Sequence, residues 1–114
     1  MPQNETSWNR PILFHLCQHA AHLASSWRSD IVARLGHSQI KVLRMDAMPL
    51  AEEVHPYDEV FRVLEGQLQL KVAGQDFCVR EGELQLVPAG VSHAVTAGSH
   101  GTPLIIDPPR PPTC

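Results

Sequence analysis

Glu53-Val54-His55-Pro56-Tyr57-Asp58-Glu59-Val60-Phe61-Arg62-Val63-Leu64-Glu65-Gly66 is the first of two stretches whose reading decides the fold; Gly82-Glu83-Leu84-Gln85-Leu86-Val87-Pro88-Ala89-Gly90-Val91-Ser92-His93 is the second. Residues two apart in a strand share a face. Glu53, His55 and Glu59 have one parity, so a single continuous strand aims all three the same way. Phe61 and Val63 continue that parity, so an apolar face follows the polar trio. Three side chains able to bind a metal, leading into an apolar interior, suggest a site at the mouth of a barrel. Tyr57 shares the parity and is the candidate for hydrogen-bonding a substrate, the catalytic residue of this reading. The second stretch supplies a turn at Pro88-Ala89-Gly90 and then a lone His93.

Working outward, the chain reads as short strands punctuated by Gly and Pro. Ile31 to Leu35 forms a short strand, and Gly36-His37-Ser38 a turn. Gln39 to Ala47 is a strand with apolar groups on both faces, ended by Pro49. One of its faces lines the core while the other meets a helix or a second subunit. Glu65-Gly66 reads as a tight turn, with glycine supplying a positive φ. Gln67 to Val72 alternates cleanly, with Leu68, Leu70 and Val72 inward. Ala73-Gly74-Gln75-Asp76 turns the chain into Phe77 to Arg80. Leu84 to Val87 and Ser92 to Val95 follow, then a loop at Ala97 to Gly101. Thr102 to Ile106 is the last strand, and Pro103 within it implies an edge position or a later start. Phe61, Val63, Leu68, Leu70 and Leu84 read as core, and Arg62, Asp58 and His100 as surface groups. Repeated short strands with such turns argue for a sandwich or barrel.

Before the strands, Leu16, Ala20, Leu23 and Trp27 lie on one face of a helix expected from about Leu13 to Trp27. His15, His19 and His22 lie on a neighbouring face and read as its solvated flank. The domain boundaries are therefore an N-terminal arm and helix over 1–28, a barrel over 29–107 and a Pro-rich tail over 108–114. The chain has 114 residues, enough for one core. Its net charge of -3, with Lys and Arg scattered, argues against a nucleic-acid partner. No apolar run approaches the roughly 20 residues that span a bilayer, so no membrane partner is expected. No signal-peptide pattern opens the sequence. Cys17, Cys78 and Cys114 are widely spaced and contain no Cys-x-x-Cys pair, which reads as free thiols in a cytoplasmic protein.

The two quoted stretches resemble the paired motifs of the cupin superfamily. His55, three residues, Glu59, six residues and Gly66 fit the first motif; Glu53 takes the place of its first His. Gly82, Pro88, Gly90 and His93 fit the second, and its final Asn position is Ala97. Pairing His55 with Tyr57 instead leaves too few residues before Glu59. The resemblance covers roughly residues 39–107. It implies an all-β, small antiparallel jelly-roll barrel with a short N-terminal helix, a divalent metal on Glu53, His55, Glu59 and His93, and a homodimer.

Two imidazoles and two carboxylates suit Fe(II), Mn(II), Ni(II) or Zn(II). Glu53 in place of a neutral His makes the site more negative, which favours hard ions. Such a site implies dioxygenase- or isomerase-type chemistry on a small organic molecule. A non-catalytic small-molecule binder or sensor is the alternative that the altered first motif raises. A metal-free sugar-nucleotide epimerase needs a basic pocket, and the inward parity offers no Lys or Arg for one.

Overall fold

The structure, a computed structural model, describes residues 11–109. The expected N-terminal arm and most of the Pro-rich tail, with Cys114, lie outside the described residues. Among the described residues one helix, α1 (Leu16–Ala21), precedes eight strands: β1 (Asp30–Leu35), β2 (Ser38–Val42), β3 (Leu50–Glu53), β4 (Glu59–Val72), β5 (Gln75–Arg80), β6 (Leu84–Val87), β7 (His93–Val95) and β8 (His100–Asp107). Every pairing is antiparallel.

The 14 residues of β4 organise the barrel. Its first half pairs with β6 on one side and β8 on the other. Its second half pairs with β5 and β7. One wall is thus β1-β2-β8-β4-β6, and the facing wall is β5-β4-β7-β3. The inner faces meet in a core that includes Leu43, Phe61, Val63, Leu68, Leu70, Val79, Val87 and Ile105. This is the all-β jelly roll with a short N-terminal helix that the sequence implied.

Glu65-Gly66 is not a turn. Gly66 keeps its positive φ of 83°, but as an irregularity inside a continuing strand. The β4–β8 register shifts between Val63 and Glu65, and Gly66 then lies opposite Gly101. A Cβ on Gly66 would stand 2.0 Å from the His100 carbonyl oxygen, and one on Gly101 2.0 Å from that of Glu65. The glycine is there so that two backbones can touch, a long-range demand that local turn chemistry does not reveal. The turn that reverses the chain is Ala73-Gly74, both with positive φ (49° and 80°), joining Val72 to its partner Gln75. This backbone matches a two-residue hairpin of the type that suits strand twist.

Pro103 is fully buried in β8, between β2 and β4 rather than at an edge. It is tolerated because the β2 ladder ends at Val42–Leu104, one pair earlier, and the β4 side shifts register at the same place. Proline has no N–H to give a ladder, and the β2 pairing stops short of it while Val63 still stands across from it on β4. The expected strand over 39–47 therefore stops at Val42, and Met45 makes a single bridge to Gly101.

The helix is also shorter than its apolar spacing suggested. The Arg44 guanidinium donates to the carbonyls of Ala20 and Leu23 (3.3 and 2.6 Å), satisfying the helix end. Beyond it Trp27 adopts φ 64° and donates its indole N–H to Asp46 at 2.7 Å, leaving the helical face. Ala20 packs with Val32 and Val42 against the outside of the barrel, joined by Ile40 and Leu104. His19 meets Asp30 at 2.6 Å, and the other two histidines of that stripe are exposed.

Leu84 was expected in the core but is 57% exposed. On β6 it is Val87 that points inward, so Leu84 and Leu86 share the outer side with their cross-strand partners Arg62 and Val60. Cys17 and Cys78 are free.

Gly101→Ala should lower stability by about 2–4 kcal/mol, combining left-handed backbone strain with overpacking. Gly74→Ala, which meets nothing within 4 Å, should cost only about 1 kcal/mol. Urea midpoints of the two variants measure the difference; equal losses would mean that the β4–β8 contact is not tight.

Candidate metal centre

The quoted residues do not lie on one strand. Glu53 ends β3, Glu59 begins β4, and residues 54–58 loop between them. Convergence comes from pairing instead. Glu53 stands directly across from His93 in the β3–β7 ladder. The loop is held by the turn that carries the second motif: Gly90 N–H donates to the His55 carbonyl at 2.8 Å, and Ala89 N–H to the Asp58 carboxylate at 2.9 Å. Pro88-Ala89-Gly90 therefore fixes His55 as well as aiming His93. Asp58 is exposed, as expected, yet anchors this contact.

Ligand atoms of Glu53, His55 and His93 all lie within 4.8 Å of one another and could hold a metal ion. Glu59 Oε1 is 3.4 Å from His93 Nε2 and 3.9 Å from His55 Nε2, and Glu53 Oε1 is 3.6 Å from His55 Nε2. Donors about 2.1 Å from one ion and roughly at right angles or tetrahedral would stand about 3.0–3.5 Å apart. The Glu59–His93 and Glu53–His55 distances already lie near that span, and the full set, spread over 4.8 Å, would draw together by up to about an ångström around a divalent ion. Burial grades the group: the side chain of His93 is 6% exposed, that of Glu59 9%, that of His55 14% and that of Glu53 53%. Glu53 thus forms the solvent side of the centre. Tyr57 stacks on His55 with ring centroids 4.9 Å apart and planes 4° from parallel, and His93 packs against Phe61.

Two charged side chains of the cavity escaped the sequence reading. Lys41 and Asp107 line the same cavity as the imidazoles. Lys41 Nζ contacts both carboxylate oxygens of Asp107 at 2.9 Å. Ile40 and Val42 pack on the helix side, so Lys41 faces in, and the expectation of no inward basic group is corrected. Asp107 falls beside Glu59 because the β4–β8 register, Val60 with Ile106, continues by one more step. Nothing in the sequence marked either residue: the strand carrying Lys41 is apolar on both faces, and Asp107 stands just past the last expected strand, before the Pro-rich tail. Trp27 also lines this cavity.

Burial alone would raise the Glu59 carboxyl, but hydrogen bonding from His93 and Asp107 and the charge of His55 outweigh it and bring it down to about 2. Burial pushes Asp107 up to about 6, aided by its hydrogen bond to Glu59 and opposed by Lys41. The hydrogen bond to Glu59 raises His93 against the effect of burial. Glu59 is thus the fixed anion of the cluster, and Asp107 holds a proton beside it only below about pH 6.

These shifts set opposite limits on the metal-free protein. Glu59, depressed from 4.5, contributes stability that is lost as pH falls from 4.5 toward 2. Asp107, raised from 3.8, contributes stability present below 3.8 and lost as pH rises through about 6. Urea midpoints of metal-free protein should therefore fall between pH 4 and 6.5, and Asp107→Asn should flatten that limb. An unchanged slope in the variant would show that another group titrates there.

Residues 45–106, more than half of the chain, match the sequence profile of the family described as Cupin domain. No curated protein matches the sequence. A cupin-2 domain containing protein from Shewanella frigidimarina is similar in structure, with TM-score 0.77 and 25% identity over 91% of this chain and 97% of that one. KdgF from Halomonas sp. has TM-score 0.63 and 19% identity over 73% and 78%. A putative mannose-6-phosphate isomerase from Ralstonia eutropha has TM-score 0.73 and 18% identity over 86% and 98%. With the profile matched across the barrel strands and the motif residues gathered at one cavity, this chain belongs to the cupin family.

Proposed function

We propose that this cupin holds one divalent ion, iron, manganese, nickel or zinc, on Glu53, His55, Glu59 and His93, and acts on a small organic molecule at the barrel mouth by dioxygenase- or isomerase-type chemistry. The observation that carries the reading is the convergence of Glu53, His55 and His93 donors within 4.8 Å in one cavity. Such an ion supplies Lewis acidity and, for iron or manganese, redox chemistry. The chain does the rest. Tyr57 and the Gly90 N–H hold the His55 ring and backbone. Phe61, Leu68 and Ile105 make an apolar floor that excludes water. Tyr57, which lines the cavity, is the residue that would hydrogen-bond the substrate in this reading. A non-catalytic binder is the second reading, favoured by the exposure of Glu53 where the family motif has a histidine.

Metal analysis of protein purified without chelator should find about one equivalent of ion, or uptake of one on adding Fe(II) or Mn(II). His93→Ala should weaken uptake by at least about 100-fold. Less than about a tenth of an equivalent, with no uptake, removes the metal reading. Ligand-induced thermal stabilisation of metal-free protein would then favour the binder.

The same reading includes a homodimer. Ile40, Ile106, Val60 and Leu86 are successive cross-strand partners over β2, β8, β4 and β6 on the outer wall. Leu84 and Leu86 are 57% and 49% exposed at its edge, an apolar patch that a second copy would cover. Wild-type protein should sediment as a dimer and Leu86→Glu as a monomer; a monomeric wild type overturns the assignment.

A further inference from the structure

Lys41 has no part in holding a cation, yet it lines the cavity where one would sit. Its side chain is only 18% exposed, and that of its partner Asp107 only 1%. A lysine is rarely enclosed to this degree without work for its ammonium group. Asp107 accounts for part of that work. An ammonium has three N–H donors, and one carboxylate occupies at most two of them. Lys41 is the only Lys or Arg among the described residues lining the cavity.

Charge gives the remaining donor a purpose. Glu53, Glu59 and Asp107 bring three negative charges to the cavity against the single positive charge of Lys41. A divalent ion brings these charges to zero, so the loaded cavity no longer repels an anion. Lys41 is the one cation of the cavity wall among the described residues, and so the group that would meet such an anion. Size narrows the class. The cavity is about 140 Å³, close to an engineered cavity of about 150 Å³ that takes benzene. A molecule of roughly six or seven heavy atoms fills a space of that size. Between the two polar poles the walls are Leu43, Phe61, Leu68 and Ile105, which suit a hydrocarbon body.

We infer that Lys41 is the anchor for the carboxylate of a small organic acid, whose second oxygen faces the imidazole–carboxylate cluster. This rests on the metal-dependent reading above for the second oxygen, but not for the anchor itself. Asp107 positions the ammonium and competes with the ligand for its charge.

Malonate and its neutral analogue malonamide serve as probes. Calorimetric titrations are run on wild type, Lys41→Met, Lys41→Gln and Asp107→Asn, each metal-free and with Mn(II), and Mn(II) uptake is measured separately. Wild type loaded with Mn(II) should prefer malonate over malonamide by about 10-fold or more. Lys41→Met should lose that preference while taking up Mn(II) as wild type does. Asp107→Asn should bind malonate several-fold more tightly. If Lys41→Met does not fold, Lys41→Gln, which keeps length and polarity without charge, gives the same readout. Wild type with no preference for malonate, or a Lys41 variant that keeps it, overturns the anchor and leaves the metal reading standing. No Mn(II) uptake together with Lys41-dependent malonate binding overturns the metal reading and leaves the anchor standing.

Discussion

Glu59 sits 7% exposed inside an apolar barrel, and an ionised carboxylate in such a place must be answered by its neighbours. Here the answer comes from two sides. His93 and His55 face it from one side, and Asp107, tied to Lys41, faces it from the other. The row Lys41–Asp107–Glu59–His93 crosses β2, β8, β4 and β7, so the two walls of the barrel are joined through one polar seam. Such a seam is costly to break at any member, because removing one partner leaves a buried charge uncompensated. It also gathers the buried ionisable groups Glu59, His93 and Asp107 in one place, while the main core cluster is apolar.

The seam forms only because β4 serves both walls. A strand of 14 residues that stayed flat would pair with two neighbours along its length; this one changes partners midway, from β6 to β5 on one side. The irregularity at Glu65-Gly66 and the close approach of Gly101 lie at that change. Backbone contact at the glycines fixes the β4–β8 register, and that register sets Asp107 beside Glu59. Packing precision far from the site thus decides which charges meet in it.

The outer surface follows a different logic. Strands of the β2-β8-β4-β6 wall carry apolar residues on both sides, and α1 covers only the β2 end. The interior takes Lys41 and Leu43, while Ile40 and Val42 face out toward the helix. A sequence with apolar groups at every position leaves the choice of face undetermined, because the two-residue period then gives no contrast.

Local chemistry in the chain determined the hairpin at Ala73-Gly74, the clean alternation of Leu68, Leu70 and Val72, the turn at Pro88-Ala89-Gly90, and the motif spacing that marks Glu53, His55, Glu59 and His93. These signals are short-range, written in φ preferences and side-chain period, so they survive without knowledge of partners. Tertiary structure alone decided the rest. It broke the supposed single strand between Glu53 and Glu59, and gathered its residues by cross-strand pairing and loop anchoring. It turned Gly66 from a bend into a contact, seated Pro103 in a central strand where the β2 pairing stops, sent Leu84 outward, and brought Lys41 and Asp107 together across 66 residues. Each of these depends on which strands become neighbours, and no residue carries that information by itself.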